Sequence, residues 1–326
     1  MIISRTPLRM SFAGGGSDLP DFYRRHGGAV VSTAIDKYIY VNINPKFDNG
    51  IRVAYSKTEE VTSVEQIEHP IVRAALKHLE IDGGVEITTI ADIPSRGTGL
   101  GSSSSFTVGL LHGLNAFKGR YVSNAQLGGD GCHVEIDLCG APIGKQDHYA
   151  AAFGGLNVIE FKPDDSVIVS PVICQRATLR ELQASLVVLY TGIVRSAATV
   201  LQRQSAEIAC SESKRRALIR MVELAYCLRD ELQKDNLAAF GEILHENWML
   251  KKSIASCVSS SDIDGWYDAA CRAGAIGGKI LGAGAGGFLL FYAPPERHAR
   301  IKAALPMLRP ISVAFEPLGS RIIFYH

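Results

Sequence analysis

The sequence of 326 residues lacks an excess of charge, because 34 lysines and arginines oppose 33 acidic side chains and the formal net charge is +1. Proteins that bind nucleic acid or an anionic membrane through their overall charge carry a clear basic excess, so neither partner is expected. The chain also lacks an apolar run of the about 20 residues that a membrane-spanning helix requires. Its opening, MIISRTPLRMSFAGGG, has no apolar core of a secretory signal.

Cysteines are few and dispersed: the chain has seven, and no two form a C-x-x-C pair. Zinc sites and disulfide frameworks use paired or regularly spaced cysteines, so neither is expected. Scattered thiols in odd number are typical of a reducing compartment, and with the missing secretory signal they predict a cytoplasmic protein.

Two nucleotide-binding fingerprints are missing or out of context. The P-loop pattern G-x-x-x-x-G-K-[ST] is absent, since no lysine follows Gly101. A G-x-G-x-x-G string does begin at Gly282 and end at Gly287, but FLLFYAP follows it. This short apolar run predicts a strand where a dinucleotide-binding fold needs a helix. A dinucleotide-dependent oxidoreductase is therefore an alternative with little support, which a test for bound or consumed NAD would decide.

Apolar residues make up 47% of the chain, which predicts a substantial core, and the length is enough for about two domains. Alternating apolar residues predict strands at 38–44, 84–94, 154–161 and 185–192 and in two C-terminal stretches, GGFLLFYAP and RIIFYH. Apolar residues three and four apart predict helices at 123–138, 213–234, 237–245 and 262–273. A linker predicted at 161–166 divides the chain into two α+β domains, 1–165 and 166–326.

Three clusters of glycine stand out, at 11–19 (SFAGGGSDL), 95–114 (SRGTGLGSSSSFTVGLLHGL) and 277–294 (GGKILGAGAGGFLLFYAP). In the second cluster, apolar residues at helical spacing follow four serines, so a helix is predicted to begin among the serines. Glycine lets the backbone approach a ligand closely, and the free N–H groups at a helix start attract anions. The stretch therefore predicts a phosphate cradle, with a flexible loop before an ordinary core helix as the alternative.

Two acidic residues, Glu135 and Asp147, lie on either side of a turn in HVEIDLCGAPIGKQDHYAAAFGG. Phosphoryl transfer needs a magnesium ligand and a group that positions or deprotonates the acceptor hydroxyl, and these carboxylates could supply both. Taken alone, each is better explained as a solvated surface acid.

In combination, the glycine clusters and the two acids resemble the GHMP kinase superfamily over nearly the whole chain. IPSRGTGLGSSSSFTVG looks like that family's ATP-phosphate loop, TPLRMSFAGGGSDLPDFYRRHGG like its N-terminal substrate motif, and KILGAGAGGFLLF like its C-terminal glycine motif. The first of these and IGKQDHYAAAFGG look closest to the branch of D-glycero-D-manno-heptose 7-phosphate kinases. The resemblance implies an α+β fold of two domains, the N-terminal one like domain 2 of ribosomal protein S5 and the C-terminal one ferredoxin-like.

The resemblance also implies a role for each residue of the site. Asp147 aligns with the base or positioning aspartate, and Arg9 with the basic residue that faces it. Ser103 and Glu135 align with the ligands of Mg²⁺. The implied ATP cradle comprises Gly97, Gly99, Leu100, Gly101, Ser102, Ser103, Ser104 and, from the third cluster, Gly284. The implied substrate residues are Gly15, Gly16, Asp18, Lys145 and Arg195.

The expected function is that of an ATP- and Mg²⁺-dependent kinase that phosphorylates the anomeric (C1) hydroxyl of a heptose 7-phosphate. Lys145, Arg195 and Lys279 are the basic candidates for holding the substrate phosphate, with an ordinary surface position as the alternative for the first two. Ile136 stands where mevalonate kinases carry arginine, and His148 turns the more common QDQ into QDH. A kinase for galactose, fucose or a uronic acid and a non-catalytic sugar sensor therefore remain as alternatives, and the oligomeric state stays open.

Overall fold

Strands and helices alternate along the computed structural model, which describes residues 1–93, 97–195 and 197–326. Pro94, the last residue of a predicted strand, and Ser95 and Arg96, the first residues of the stretch that predicts a phosphate cradle, lie outside the described residues. The strands are β1 (Ile2–Ala13), β2 (Gly28–Pro45), β3 (Ile51–Ala54), β4 (Thr58–Val61), β5 (Val85–Ala91), β6 (Leu156–Phe161), β7 (Val167–Pro171), β8 (Leu186–Tyr190), β9 (Gly277–Ile280), β10 (Phe288–Tyr292), β11 (Arg309–Ile311) and β12 (Arg321–Tyr325).

The helices are α1 (Pro20–His26), α2 (Pro70–His78), α3 (Ser102–Phe117), α4 (Asn124–Cys132), α5 (Gln146–Phe153), α6 (Arg176–Ala184), α7 (Ala197–Cys210), α8 (Glu212–Gln233), α9 (Phe240–Ile254), α10 (Ser261–Ala273) and α11 (His298–Ala304). A π-helical stretch, His133–Leu138, continues α4, and short 3₁₀ turns lie at Val64–Gln66, Ser256–Val258 and Pro295–Arg297. In the described part of the chain, none of these helices is both long and apolar enough to cross a bilayer.

The larger sheet has the order β12-β1-β2-β5-β3-β4, and β2 also pairs with β6, which pairs with β7. The 18-residue β2 is long enough for two partners on one side, because its first half pairs with β6 and its second half with β5. All pairings in this sheet are antiparallel except that of β3 with β5. β1 runs directly into the first glycine cluster and so brings that cluster to the end of the sheet.

The smaller sheet is antiparallel, with the order β11-β8-β10-β9. It connects to the larger sheet through a continuous apolar core that contains side chains of both sheets and of α8 and α9. In this core the rings of Phe12 and Phe240 meet edge to face at 5.2 Å between centroids. Aromatic pairs of this kind stabilise a fold beyond the area that they bury.

Helix α3 begins at Ser102, which confirms the prediction of a helix start among the serines. Leu110, Leu111 and Leu114 of this helix are fully buried, and the helix packs on β1 and β2. A Cβ placed on Gly109 would lie 2.7 Å from the hydroxyl of Thr6 in β1. Glycine at this position therefore lets the helix lie close against the sheet and fixes where its N-terminus points.

The predicted strands and helices are confirmed within the described residues, but two differ clearly in length. Helix α9 starts at Phe240 and runs to Ile254, beyond the predicted end at residue 245, and β2 starts at Gly28, well before the strand predicted at 38–44. The predicted linker at 161–166 is wrong, because this stretch is the turn of the antiparallel hairpin formed by β6 and β7. Both halves mix helix and strand. The division at residue 165 stays a prediction, since β7 and β12 belong to the larger sheet although they follow that residue.

Candidate active site

One cleft lies where the three glycine clusters meet. The residues that line it include both predicted acids, most of the predicted cradle and part of the first cluster. They are Arg9, Gly16, Asp18, Gly97, Thr98, Gly99, Gly101, Ser102, Ser103, Ser104, Glu135, Ile143, Gly144, Gln146, Asp147, Leu201, Lys251, Gly282 and Ala283. Of the remaining predicted site residues, Gly15, Leu100, Lys145, Arg195 and Gly284 do not line it.

The glycine loop before α3 adopts a backbone that only glycine takes readily. Gly99 and Gly101 have φ values of 78° each, and Gly101 is the N-cap of α3. A Cβ on Gly99 would come within 2.4 Å of the carbonyl oxygen of Leu281, and one on Gly282 within 2.5 Å of the Cα of Gly99. The second and third clusters therefore touch backbone to backbone beside the N-terminus of α3, whose free N–H groups can bind an anion.

Arg9 and Asp147 form a bidentate ion pair at the edge of this loop. The Arg9 Nε and Nη2 groups each donate to one oxygen of Asp147 at 2.6 Å, and Nη1 donates to the carbonyl of Gly99 at 2.7 Å. Arg9 is 3% exposed, whereas the Asp147 side chain remains 22% exposed to the cleft. A planar guanidinium held on three acceptors fixes the carboxylate in one orientation and leaves it accessible to a ligand.

Glu135 is buried in a network that includes Ser103. The hydroxyl of Ser103 donates to Glu135 Oε1, Thr107 donates to Oε2 at 3.1 Å, and His148 Nε2 lies 2.8 Å from the same oxygen. Burial opposes ionisation of Glu135, but the hydrogen bond and charge of His148, with the two hydroxyls, outweigh it and hold the pKa of the carboxyl below its usual value. The site therefore keeps a carboxylate at neutral pH.

His148 is the partner that stabilises this carboxylate. It is fully buried on α5, one residue after Asp147. Burial alone would lower the pKa of its imidazole, but the neighbouring Cys132 and Glu135 raise that pKa well above the ordinary value. One short helix therefore carries both the carboxylate that faces the cleft and the cation behind Glu135.

Asp18 closes the cleft on the side of the first glycine cluster. It is 3% exposed and accepts hydrogen bonds from the backbone N–H of Gly16, at 3.1 Å, and from the backbone and side-chain N–H groups of Gln146, both at 3.2 Å. Burial and the charge of Asp147 nevertheless raise the pKa of Asp18. An additional donor, such as a sugar hydroxyl, would be well placed beside such a carboxyl.

The three basic candidates for a substrate phosphate differ from one another in their surroundings. Lys145 Nζ donates to the carbonyl of Asp165 at 3.0 Å and lies over the Tyr23 ring. Arg195 is exposed, and its backbone abuts Gly97. Lys279 is completely buried and donates to the carbonyl of Ser11 at 2.9 Å, so its prediction as a phosphate ligand is wrong.

Sequence reasoning missed the lysine that does reach the cleft, Lys251. It lies in the last turn of α9 and is 3% exposed, and its Nζ donates to the carbonyl of Gly282 at 2.5 Å. The next residue, Lys252, points elsewhere and pairs with Asp264 at 3.0 Å. The sequence does not indicate which of two adjacent lysines on an amphipathic helix faces inward. His148 was missed as well, because the motif marks it only as a departure from QDQ.

The glycine string that begins at Gly282 leads into strand β10. A dinucleotide fingerprint needs a helix at this point, so the oxidoreductase alternative is wrong.

Comparisons with known proteins agree with this geometry. Residues 69–155 match the model of the GHMP kinases N terminal domain, and residues 228–306 match that of the GHMP kinases C terminal domain, together about half of the chain. A D-glycero-alpha-D-manno-heptose 7-phosphate kinase of Campylobacter jejuni is 28% identical over 93% of both chains. A bifunctional fucokinase/GDP-fucose pyrophosphorylase of Arabidopsis thaliana is 26% identical over 90% of this chain and 30% of its own length.

Among solved structures, a D-glycero-D-manno-heptose 1-phosphate kinase from Bacteroides thetaiotaomicron superposes with a TM-score of 0.82, at 27% identity over the full length of both chains. The chain therefore belongs to the GHMP kinase family and has its two-domain fold. It is a sugar kinase, and ATP is the phosphoryl donor that this family uses.

Proposed function

We propose that this kinase transfers the γ-phosphoryl group of ATP to the anomeric (C1) hydroxyl of D-glycero-D-manno-heptose 7-phosphate. The observation that carries the proposal is the ion pair of Arg9 and Asp147, because it presents an oriented carboxylate to the cleft directly beside the glycine loop. The Campylobacter relative, which is named for this sugar phosphate, supports the choice of substrate.

In the proposed reaction, Asp147 accepts the proton of the C1 hydroxyl while the hydroxyl oxygen forms a bond to the γ-phosphorus. The bond between that phosphorus and the oxygen that bridges it to the β-phosphate breaks, and ADP leaves with the electron pair. Arg9 keeps the Asp147 carboxylate in place and favours its ionised form before the proton arrives. Such positioning accounts for most of the catalysis in phosphoryl transfer.

The ATP phosphates are proposed to lie on the glycine loop and the N-terminus of α3, against Ser102, Ser103 and Ser104. Leu100 and Gly284 would shape this cradle from behind, since neither lines the cleft. Gly15, Gly16 and Asp18 are proposed to hold the hydroxyls of the sugar.

Mg²⁺ fits the oxygen pair formed by Ser103 and Glu135. Mg²⁺ prefers one or two protein oxygens and completes its coordination with phosphate oxygens and water. Within the described residues no group of three or more histidines, cysteines or acids could hold a metal by itself, which agrees with a cation that arrives with a nucleotide. Bound there, Mg²⁺ would neutralise charge on the β- and γ-phosphates.

A second candidate substrate is fucose, because one relative is named as a fucokinase. The two sugars differ in charge, so the cation that meets a substrate phosphate decides between them. Arg195, exposed beside Gly97, and Lys145, whose neighbours Gly144 and Gln146 line the cleft, are the proposed cations.

The test is an ATP-consumption assay with heptose 7-phosphate, unphosphorylated heptose, fucose and galactose, and the product's phosphate position is read by phosphorus NMR. We expect heptose 7-phosphate to exceed the bare heptose in kcat/KM by about 30- to 3,000-fold, the effect of leaving a cation unpaired. Arg195→Ala should narrow this gap by slowing the phosphorylated sugar. Equal rates for the two heptoses, or better use of fucose, would overturn the heptose assignment.

A further inference from the structure

The cleft contains more negative than positive charge before any nucleotide enters. Asp18, Glu135 and Asp147 line it, and within the described residues the lining cations are Arg9 and Lys251. A phosphoryl group that moves through this space carries negative charge itself, so it needs a cation with hydrogen-bond donors to spare.

Arg9 has few donors to spare. Two of its nitrogens face the oxygens of Asp147 at 2.6 Å and the third faces the carbonyl of Gly99 at 2.7 Å. Its charge is balanced by the carboxylate that it orients, and a new anion would have to compete with that pair.

Lys251 differs from Arg9 both in its free hydrogen-bond donors and in its unbalanced charge. In the described part of the chain it forms no ion pair, and one hydrogen bond, to the carbonyl of Gly282 at 2.5 Å, uses one of its three donors. Its Nζ lies 3.9 Å from where a Cβ on Gly15 would be, so it is located between the first and third glycine clusters. Gly282 in turn packs on Gly99 of the glycine loop.

We propose that Lys251 is a catalytic residue of this kinase, whose ammonium group binds the γ-phosphoryl group of ATP as that group passes to the acceptor hydroxyl. The proposal rests on the proposed ATP site and deepens it. The oxygens of the γ-phosphoryl group accept hydrogen bonds from the Lys251 ammonium group. Lys251 forms no covalent bond during the transfer. Its position on α9 means that the C-terminal half of the chain supplies a charge to a cleft whose other charged lining residues belong to the N-terminal half.

The burial of Lys251 supports this role. Removal from water lowers the pKa of its ammonium group to about 8, although the charges of Asp18 and Asp147 act in the opposite direction. A buried cation without a paired carboxylate destabilises a protein, so it is typical of a site that awaits an anionic ligand.

The test compares the binding of two nucleotides that differ only at the γ-position, ADP and β,γ-imido-ATP, by calorimetry with Mg²⁺ and without sugar. We expect Lys251→Met to weaken β,γ-imido-ATP about 10- to 100-fold more than ADP, the effect of one hydrogen bond to a charged group. Lys252→Met, one residue along the same helix and outside the cleft lining, is the matched control and should leave both affinities unchanged.

Other outcomes overturn the proposal. If both nucleotides weaken equally, or neither weakens, Lys251 does not bind the γ-phosphoryl group. If the nucleotide affinities persist while heptose 7-phosphate loses affinity and bare heptose does not, Lys251 binds the phosphate of the acceptor instead. Because the nucleotide measurement contains no sugar, a failed heptose assignment leaves its result intact.

A measurement on the unaltered protein covers the case in which Lys251→Met does not fold. Reductive methylation with formaldehyde, read residue by residue by mass spectrometry, reports whether the Lys251 amine is accessible. We expect β,γ-imido-ATP to protect Lys251 several-fold better than ADP does, with Lys252 modified equally in both. Equal protection of Lys251 by the two nucleotides would contradict the proposal.

Discussion

Asp147 and Arg9 are far apart in sequence, yet they share two hydrogen bonds of 2.6 Å. Asp147 lines the cleft and keeps 22% of its side chain exposed, while Arg9 is buried and also donates to the carbonyl of Gly99 in the glycine loop. A substitution at such a residue should lower turnover without changing nucleotide affinity. A purely structural role would predict that both fall together.

We therefore predict that Asp147→Asn lowers kcat by about 10²- to 10⁴-fold, the usual contribution of a positioned base, while the Kd of ATP changes less than a few-fold. Steady-state kinetics and calorimetry measure the two quantities. Asp48→Asn is the control, because Asp48 pairs with Lys46 and does not line the cleft. A variant that keeps more than a tenth of the wild-type kcat would remove Asp147 from the proposed role.

Glu135 and Ser103 form one unit, since the Ser103 hydroxyl donates to the Glu135 carboxylate. We predict that Glu135→Gln and Ser103→Ala each raise the Mg²⁺ concentration required for half-maximal rate. The effect of the double variant should be smaller than the sum of the two single effects, because both residues act on one ion. Thr107→Val removes the other hydroxyl that donates to Glu135, but Thr107 does not line the cleft. This variant should therefore leave the required Mg²⁺ concentration within about twofold of the wild-type value. Additive effects would argue against a shared metal.

Single residues of the site were predictable from the sequence where a local motif marks them. The acids, the glycines and Arg9 lie in recognisable stretches, and the structure brings Arg9, Glu135 and Asp147 to one cleft. Lys251 was not predictable, because its surroundings, Gly15 and Gly282, come from distant parts of the chain. Only folding decides which of two adjacent lysines loses its contact with water.

The glycine loop and the third glycine cluster lie in direct backbone contact. Their contact leaves no space for a side chain at Gly99, where a Cβ would lie 2.4 Å from the carbonyl oxygen of Leu281. The same contact positions the N-terminus of α3.

We predict that Gly99→Ala weakens ATP binding about tenfold or more, because the loop must move away from Leu281 to accommodate the methyl group. Gly119→Ala is a matched control: its φ of 66° is similarly left-handed, but nothing lies within 4 Å of the added Cβ. Both variants should lose about 1 kcal/mol of unfolding free energy from backbone strain, and only Gly99→Ala should lose nucleotide affinity. Equal affinities in the two variants would show that the close contact is not needed.

Elements with a strong periodic pattern of apolar residues were predicted well. Elements that are defined by the strands with which they pair were not. Helix α8 and strand β8 follow directly from apolar spacing. The stretch 161–166 was misassigned because charged and proline residues occur in linkers and in hairpin turns alike, and only the pairing of β6 with β7 separates the two. The π-helical turn has no compositional signature at all.

At the scale of the whole molecule, the segment that leads into β12 connects the larger sheet to α3 through hydrogen bonds. Ser320, just before β12, contacts the Thr6 hydroxyl at 2.8 Å and His112 Nδ1 at 3.0 Å. His112 is largely buried, and this burial lowers the pKa of its imidazole to about 4 from an ordinary 6.5. The unfolded chain therefore binds a proton at this residue between pH 6.5 and 4 where the folded chain does not.

The contribution of His112 to the free energy of unfolding is therefore fully present above pH 6.5 and is lost as the pH falls towards 4. We predict that His112→Gln flattens this acid dependence, so that wild type loses on the order of 2–3 kcal/mol more unfolding free energy than the variant between pH 7 and pH 4. Urea unfolding across the pH range measures the difference. His326→Gln, at an exposed position, should retain the wild-type slope, and parallel curves for wild type and His112→Gln would refute the assignment.

The two-domain α+β architecture was predictable from the motifs because their order along the chain is that of a known family. The way in which the halves share a sheet was not, since the pairing of β12 with β1 joins residues more than 300 positions apart. Long-range pairing of this kind depends on closure of the whole fold and leaves no local pattern in the sequence.

Glu135 lies on a π-helical turn, His133–Leu138, which inserts more residues per turn than the α-helix that precedes it. One residue fewer would leave the flanking elements in nearly the same orientation, because five residues wound as an α-helix turn through almost the same angle as six wound as a π-helix. The side chains within the turn would nevertheless change direction, and Glu135 would no longer be held in the position from which it meets Ser103 and His148. Over these six residues the reaction centre therefore depends on the count of amino acids as well as on their identity, so a change in length there should impair activity before it impairs the fold.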